Sequence, residues 1–463
     1  MTFNVTFFIA VDAFLALAAL FSALLTRFGY DEMRKLPVDS ATLYTAVIFV
    51  SVVLFSSHLM EVYDLAKNTK KREIVVNILF GTVTSFSLLT VVYYVAPDAM
   101  LGRGILLIAL SLFALFQYCW HALYLMGKNS ARFSQKVVIL GTGDLAAQIG
   151  AMMTSSRKNY ALAGYASCNT APTEDESRVV PPVVPQEEIL GNCDDLRDIA
   201  LRAQAEVIVV ALSERRGVFP LWDVLRCKMI GLQVMDAPSF YERVQGKLML
   251  ESITPSWFIF SDGFQRTTIL SIFKRTMDIT LSSIGLLLTL PFFPLIALAI
   301  KLDSSGPVFF KQERLGNWEK PFVLIKFRTM SQDAEKGTGA VWAEKNDPRV
   351  TRLGRFFRGS RIDEIPQLIN VLRGDMSFIG PRPERAEFVE KLKQIIPYYS
   401  KRHFIKPGLT GWAQVRYPYG ASVDDAVEKL RYDLYYIKNI GPFLDTLIFF
   451  ETIKVVLFGF GGR

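Results

Sequence analysis

The residues best equipped for chemistry are two adjacent acids, Asp363 and Glu364, flanked by Arg355, Arg358, Arg361 and Arg373. A carboxylate kept charged among guanidiniums suits two tasks: attack on phosphorus, or holding a divalent metal over a diphosphate. Spacing shows what must position the pair. Ile365, Leu368, Ile369 and Leu372 recur at helical intervals, Pro366 fits only a first turn, and Gly374 suits a helix stop. A short helix should therefore begin near the acids, and the positive end of its dipole favours a charged carboxylate. Spacing alone leaves the plainer alternative open, because acids at a helix start also serve as caps and salt-bridge partners.

Other basic residues are candidates to meet an anionic substrate. Lys311 and Arg314 lie in the run from Gly306 to Gly316, after Phe309 and Phe310. Phe322 to Met330 reads as a strand carrying Lys326 and Arg328, with one polar face. Arg382 stands between Pro381 and Pro383, while His403, Lys406 and Arg416 surround Pro407, Gly408, Gly411 and Trp412. Arginine's planar fork matches phosphate oxygens in pairs; solvated surface charge is the competing outcome.

Taken in order, these runs resemble the bacterial polyprenyl-phosphate phosphoglycosyl transferases. They comprise Gly306–Gly316, Lys326–Met330, the Asp363, Glu364, Pro366, Gln367, Asn370 series, Gly374–Ser377, Gly380–Pro383 and Lys406–Val415. They cover roughly the last 190 residues, and their shared order is far more specific than any one of them. The resemblance implies transfer of a sugar 1-phosphate from a nucleotide sugar, with UDP favoured, to polyprenyl phosphate. That is the first membrane step of exopolysaccharide, capsule or O-antigen assembly. It implies Asp363 as covalent nucleophile, Glu364 as a Mg²⁺ ligand, and substrate contacts from Lys311, Arg314, Lys326, Arg328, Arg361, Arg382 and Arg416, with Arg382 at the nucleotide. Many relatives carry Asn-Gly-Arg after the Gln-Val pair; here Arg416 and Tyr417 follow, which leaves the role of Arg416 open. Two rival classes stand beside this reading: a membrane-anchored NAD-dependent nucleotide-sugar dehydratase or epimerase, and a non-catalytic scaffold.

Composition points the same way. The 463 residues are 51% hydrophobic with 35 Phe, too apolar for an ordinary soluble enzyme, and the net charge of +8 suits anionic headgroups or phosphorylated substrates. No nucleic-acid-binding motif accompanies that charge, so nucleic acid is not an expected partner. Cys119, Cys168, Cys193 and Cys227 include no Cys-x-x-Cys pair and read as buried thiols in a reducing compartment. With only three histidines, a histidine-rich metal site is not expected.

The whole chain reads as an α/β membrane protein. Residues 1–130 hold four apolar runs, near 5–26, 41–57, 74–96 and 103–126, each close to a bilayer span. Basic residues Lys67, Lys70, Lys71, Arg72, Lys128, Arg132 and Lys136 place the adjoining segments in the cytoplasm, although Arg34 and Lys35 run against that topology. Asp12 is read as interfacial. The expected location is the bacterial inner membrane, multi-pass, with the catalytic domain on the cytoplasmic face and a homodimer as the assembly.

Residues 135–255 read as a Rossmann-like doubly wound domain of regulatory or dimerising role. Gly141 and Gly143 form a strand-to-helix turn that fits either a dinucleotide fingerprint or a ligand-free tight turn. Val207–Ala211 and Leu232–Met235 read as further strands, and the acid expected after the second strand is not evident ahead of the loop 171–189.

The catalytic domain, 270–463, opens with a second kind of membrane element at 274–301. Its apolar run, Ile279–Ile300, is long enough to cross, but a crossing would carry Asp363 outside, away from nucleotide sugars. Pro291 and Pro294 break it, so a re-entrant helix is expected, with Lys274, Arg275 and Asp278 at headgroup level near Lys301 and Asp303. Asp278 is read as a cap or a partner for a cation. Arg349, Arg352, Arg355, Arg358 and Arg361 recur every third residue and suit either anionic lipid or solvent. Val423–Lys438 reads as an amphipathic helix capped by Ser422, and Gly441–Phe460 as either an interfacial or a core helix.

Overall fold

A computed structural model describes residues 3–33, 40–63, 71–127, 134–155, 160–168, 182–212, 219–264, 267–331, 347–417, 420 and 422–458. The basic residues Lys67, Lys70, Lys128 and Arg132, the contrary pair Arg34 and Lys35, and most of the loop 171–189 lie outside the described residues. The chain divides into two compact units, Met1–Phe240 and Tyr241–Arg463.

The first unit opens with helices α1 (Phe3–Met33), α2 (Ser40–Leu59), α3 (Lys71–Val95) and α4 (Arg103–Gly127). All four contain stretches long and apolar enough to cross a membrane. Ala16, Ala19 and Ala23 on α1 and Ala109 on α4 are fully buried, small residues that let helix backbones approach closely. Asp12 is also fully buried: Gln117 donates to its carboxylate at 2.5 Å, and His121 lies 3.5 Å away.

A parallel sheet follows, built from β1 (Gln135–Leu140), α5 (Asp144–Ser155), β2 (Tyr160–Ser167), β3 (Ile189–Asn192), α6 (Leu196–Arg202), β4 (Val207–Val210), α7 (Leu221–Met229) and β5 (Gln233–Asp236). Strand order is β3-β2-β1-β4-β5, with every pairing parallel. The continuous apolar runs of β1 and β4 are what a sheet covered on both faces requires. Gly141 has φ +126°, and a Cβ there would sit 2.5 Å from the Ala211 carbonyl, so the strand-to-helix turn needs glycine on packing grounds alone. In the same loop the Thr142 carbonyl accepts from the Val183 amide at 2.9 Å. Cys193 and Cys227 are buried as expected, whereas Cys168 is half-buried and Cys119 exposed.

Helix α8 (Ala237–Gln245) carries the division between units. The second unit then runs through α9 (Pro255–Phe260), α10 (Thr268–Thr289) and α11 (Phe293–Asp303) into the antiparallel hairpin β6 (Phe309–Leu315) and β7 (Pro321–Phe327). It continues with α12 (Arg352–Ser360), α13 (Gln367–Arg373), β8 (Ser377–Ile379), α14 (Ala386–Ile395), β9 (Gly408–Thr410), α15 (Trp412–Arg416), α16 (Val423–Lys438) and α17 (Pro442–Phe458). Strands β8 and β9 pair in parallel. The main core gathers Val389, Leu392, Trp412, Leu430, Leu434 and Ile448. Ser422 and Asp425 form a reciprocal capping box on α16. Leu444, Leu447 and Ile448 place one face of α17 in this core.

The apolar stretch Thr268–Asp303 breaks at a 3-10 turn, Leu290–Phe292. Pro291 and Pro294 both fall in first turns, where a missing N–H costs little. The limb before the break is tied down by polar contacts. Lys274 pairs with Asp445 at 3.0 Å and donates to Tyr436 at 2.8 Å, and Arg275 donates to the Val371 and Leu372 carbonyls at 2.9 and 2.6 Å. Asp278 does not cap the helix: it accepts from Ser377 Oγ at 2.9 Å and the Phe378 amide at 2.7 Å, pinning β8, and the charges of Lys274 and Lys406 act on it. After the break, Phe293, Ile296 and Ile300 pack with Phe327 and Phe357 of the same unit. Between these anchors Leu287, Leu288, Leu290, Phe292 and Leu295 are exposed.

Candidate active site

Asp363 and Glu364 do not open the α-helix that follows them. They occupy a separate 3-10 turn, Ile362–Glu364, ahead of α13. Arg361 makes the junction: it adopts a left-handed conformation, φ 59°, which stops α12 and turns the chain into the acidic pair. The close approach of α12 depends on Gly354, where a Cβ would lie 2.1 Å from the Thr329 carbonyl. Asn370 fixes α13 to the hairpin. Its amide group donates to the Val323 carbonyl at 2.8 Å and its oxygen accepts from the Ile325 amide at 3.1 Å, with the side chain fully buried. The strand bearing Lys326 is thereby locked against the helix that follows the acids.

Both acidic residues are 7% exposed, but their surroundings differ. Glu364 is ringed by cations: Arg382 at 2.8 Å, Arg361 at 3.3 Å and Lys326 at 3.5 Å. Burial works against its charge, but Arg382, Lys326 and Arg361 outweigh it and hold the carboxyl well below the usual range. Asp363 moves the other way. Burial raises its proton affinity, the Glu364 charge adds to the rise, and Lys326, Arg382 and Arg358 oppose without cancelling it. Burial also lowers Lys326, against the pull of Glu364 and with help from Arg382, to about 8. The arrangement pairs one permanently ionised carboxylate with a second, more basic one beside it. The first can organise charge; the second can attack an electrophile.

The other sequence candidates are distributed more widely. Arg328 is buried and donates to Ser304 Oγ at 3.0 Å and to the Ser304 carbonyl at 2.6 Å, closing the end of α11. Arg314 donates to the Pro383 carbonyl at 3.4 Å and to Gln312 at 2.5 Å, so it braces the loop that carries Arg382. Lys311 is exposed on β6 and is not one of the cations on Glu364. Arg416 stacks on Trp412, 4.0 Å from the ring centroid. The arginine row also divides: Arg349 pairs with Asp347 at 2.6 Å, Arg352 and Arg355 are exposed, and Arg358 donates to Thr329 Oγ1 at 3.0 Å. Gly141 and Gly143 lie in the first unit, in the turn between β1 and α5.

The donor set fits a divalent cation in one particular way. Among the described residues no cluster of three His, Cys, Asp or Glu forms a self-sufficient metal cage. Magnesium, however, is commonly held by one or two carboxylates together with substrate phosphates. Asp363 and Glu364 are the two adjacent buried carboxylates that would supply this share, beside the three cations already on Glu364.

Comparison with known proteins follows the same stretch. Residues 269–459 match the family model described as bacterial sugar transferase. The chain is 42% identical over 238 residues to the UDP-N-acetylgalactosamine-undecaprenyl-phosphate N-acetylgalactosaminephosphotransferase of Aeromonas hydrophila, covering 51% of this chain and 55% of that protein. It is 40% identical over 273 residues to the UDP-glucose:undecaprenyl-phosphate glucose-1-phosphate transferase of Xanthomonas campestris, covering 58% and 56%. It is 41% identical over 187 residues to the exopolysaccharide production protein PSS of Rhizobium leguminosarum, covering 39% of this chain and 94% of that protein. The match thus spans about half the length of the first two relatives and nearly all of the third.

Proposed function

From the membership of this chain in the bacterial sugar transferase family, we propose that it transfers a sugar 1-phosphate from a UDP-sugar to undecaprenyl or a similar polyprenyl phosphate, beginning exopolysaccharide assembly. The observation that carries this reading is the buried Asp363 beside a Glu364 held ionised by three cations. A carboxylate oxygen of Asp363 attacks the sugar-bearing phosphorus. The bond from that phosphorus to the bridging oxygen breaks, and a nucleoside monophosphate leaves with the electron pair. An oxygen of polyprenyl phosphate then attacks the same phosphorus, and the bond to Asp363 breaks in turn. Covalent catalysis of this kind suits a water-soluble donor and a lipid acceptor, which need never share the site.

The raised proton affinity of Asp363 makes it a stronger nucleophile than an ordinary carboxylate. Arg382 and Lys326 are placed to meet charge on the diphosphate, which passes to the leaving monophosphate. Glu364, with Asp363, would hold Mg²⁺, whose chemistry when bound is to neutralise diphosphate oxygens.

The membrane part of the proposal has its own support. Helices α10 and α11 are read as a re-entrant hairpin because both limbs are fastened to one unit and the exposed apolar residues lie at the break. A straight 36-residue helix would be about 54 Å long, well beyond a hydrocarbon core of about 30 Å. Helices α1 to α4 are read as bilayer crossings of an inner-membrane protein whose catalytic unit faces the cytoplasm. The test is nucleoside monophosphate release from UDP-N-acetylgalactosamine and UDP-glucose, with undecaprenyl phosphate and Mg²⁺. Release from at least one donor, dependent on the lipid for steady turnover, is expected; release from no UDP-sugar in a panel refutes the reading.

A further inference from the structure

The loop Pro381–Pro383 presents Arg382 to Glu364, yet it belongs to no helix or strand. Two of its three residues are prolines, which lack an amide donor, so the loop must be held by its carbonyls. Each of four successive carbonyls is engaged. Pro381 accepts from the Gly408 amide at 2.8 Å and Glu384 from the Leu315 amide at 3.0 Å. Between them, Pro383 accepts from Arg314 at 3.4 Å and Arg382 from Arg402 Nη2 at 3.2 Å.

Arg402 is itself clamped. Its guanidinium lies 2.8 Å from Asp433 of α16 and donates to the Tyr399 hydroxyl at 2.6 Å. Arg402 is 5% exposed, and Asp433 and Tyr399 are 2% exposed each. A buried ion pair of this kind is weak evidence of stabilisation, since well-packed apolar residues usually serve as well or better. What apolar residues cannot supply is a rigid, charged donor aimed at one backbone oxygen.

Resting on the transferase reading above, we propose that Arg402, fixed by Asp433 and Tyr399, is a positioning residue for Arg382. It sets the loop height at which the Arg382 guanidinium meets Glu364 and the donor diphosphate. It touches neither substrate, and it acts only through Arg382.

The test is a double-mutant cycle on the full-length protein, with UDP-N-acetylgalactosamine and UDP-glucose as donors and undecaprenyl phosphate as acceptor. Arg402→Lys and Asp433→Asn are each expected to lower kcat/KM for the donor by roughly 10- to 100-fold, the scale of a misplaced catalytic group. The Michaelis constant for the donor should rise while that for the lipid stays unchanged. A merely structural role would lower the active fraction and move neither constant. In an Arg382→Ala background the same substitutions should cost no more than about twofold, because the residue they act through is gone. Tyr399→Phe keeps the side-chain volume and removes one Arg402 contact, so it carries the cycle if the charged-pair variants do not fold; it should show a smaller loss that also vanishes in that background. A loss that persists undiminished with Arg382→Ala, or no loss in a folded Tyr399→Phe protein, overturns the assignment. Inactive wild-type protein would instead remove the transferase reading.

Discussion

The lysine on Glu364 makes the basic limb of the pH profile a quantitative test. Lys326 is brought from 10.5 to about 8, a displacement worth about 3 kcal/mol against its charged form. The protonated amine is the form that pairs with Glu364 and can meet the diphosphate, so its contribution is complete below that value and is lost as pH rises through it. With a pKa near 8, about ten elevenths of the amines are charged at pH 7 and about one eleventh at pH 9, a roughly tenfold fall. Glu364 stays ionised across this range, since its cations hold it low. The assay is kcat/KM for the UDP-sugar, followed by monophosphate release between pH 6 and 9.5, because that ratio reports groups of the free enzyme. Wild-type protein should lose close to tenfold between pH 7 and 9. Lys326→Arg, which cannot deprotonate in this range, should give a lower plateau and no basic limb. A wild-type profile flat to pH 9.5, or an equal fall in the Lys326→Arg protein, would refute the reasoning.

Further outcomes follow from buried polar contacts. Asn370→Ala would strand the Ile325 amide and the Val323 carbonyl, and each buried unpaired group costs about 1–3 kcal/mol, so a fall in Tm of several degrees is expected; an unchanged Tm would show the contacts to be dispensable. Lys274→Met leaves Asp445 buried without its cation, a change worth about 3–5 kcal/mol, and Asp445→Asn added to it should recover part of the loss; the comparison is read by thermal unfolding in detergent. On the acid side, kcat/KM should fall as pH drops through the raised Asp363 pKa, so its midpoint should lie above that of an ordinary aspartate; a profile flat to pH 4 contradicts that environment.

Much of the site is legible in the residues themselves. The acidic pair, Arg361, Lys326 and Arg382 lie in runs whose order resembles one family's motifs, and the structure gathers these three cations on Glu364. The proline-broken apolar stretch, the strands β1, β4 and β5 of the parallel sheet and the cap at Ser422 can also be read from local pattern. Other features depend on the third dimension. Periodicity carries the helix back to the acids, whereas the left-handed Arg361 inserts a separate turn. Alternation on a strand gives two faces without saying what either meets, so Lys311 and Arg314 look alike although one is exposed and the other braces the Pro383 carbonyl. Asp278 offers the same ambiguity, resolved by a strand a hundred residues away in sequence. Arg402 and Asp433 carry no motif signal linking them; their pairing exists only because α16 packs beside the 3-10 turn that bears Arg402. Asp12 shows the same limit: its place along α1 is readable from sequence, but the neighbours that bury it, Gln117 and His121, come from another helix.

The most direct measurement uses a UDP-sugar carrying radiolabel on the sugar-bearing phosphorus, mixed with stoichiometric protein and Mg²⁺ in the absence of polyprenyl phosphate. Label should become attached to protein on a peptide containing Asp363, with one monophosphate released per labelled chain. It should be discharged on adding undecaprenyl phosphate and be absent from the Asp363→Asn variant. An active enzyme that releases monophosphate only when lipid is present, and never carries label, would contradict covalent catalysis by this carboxylate.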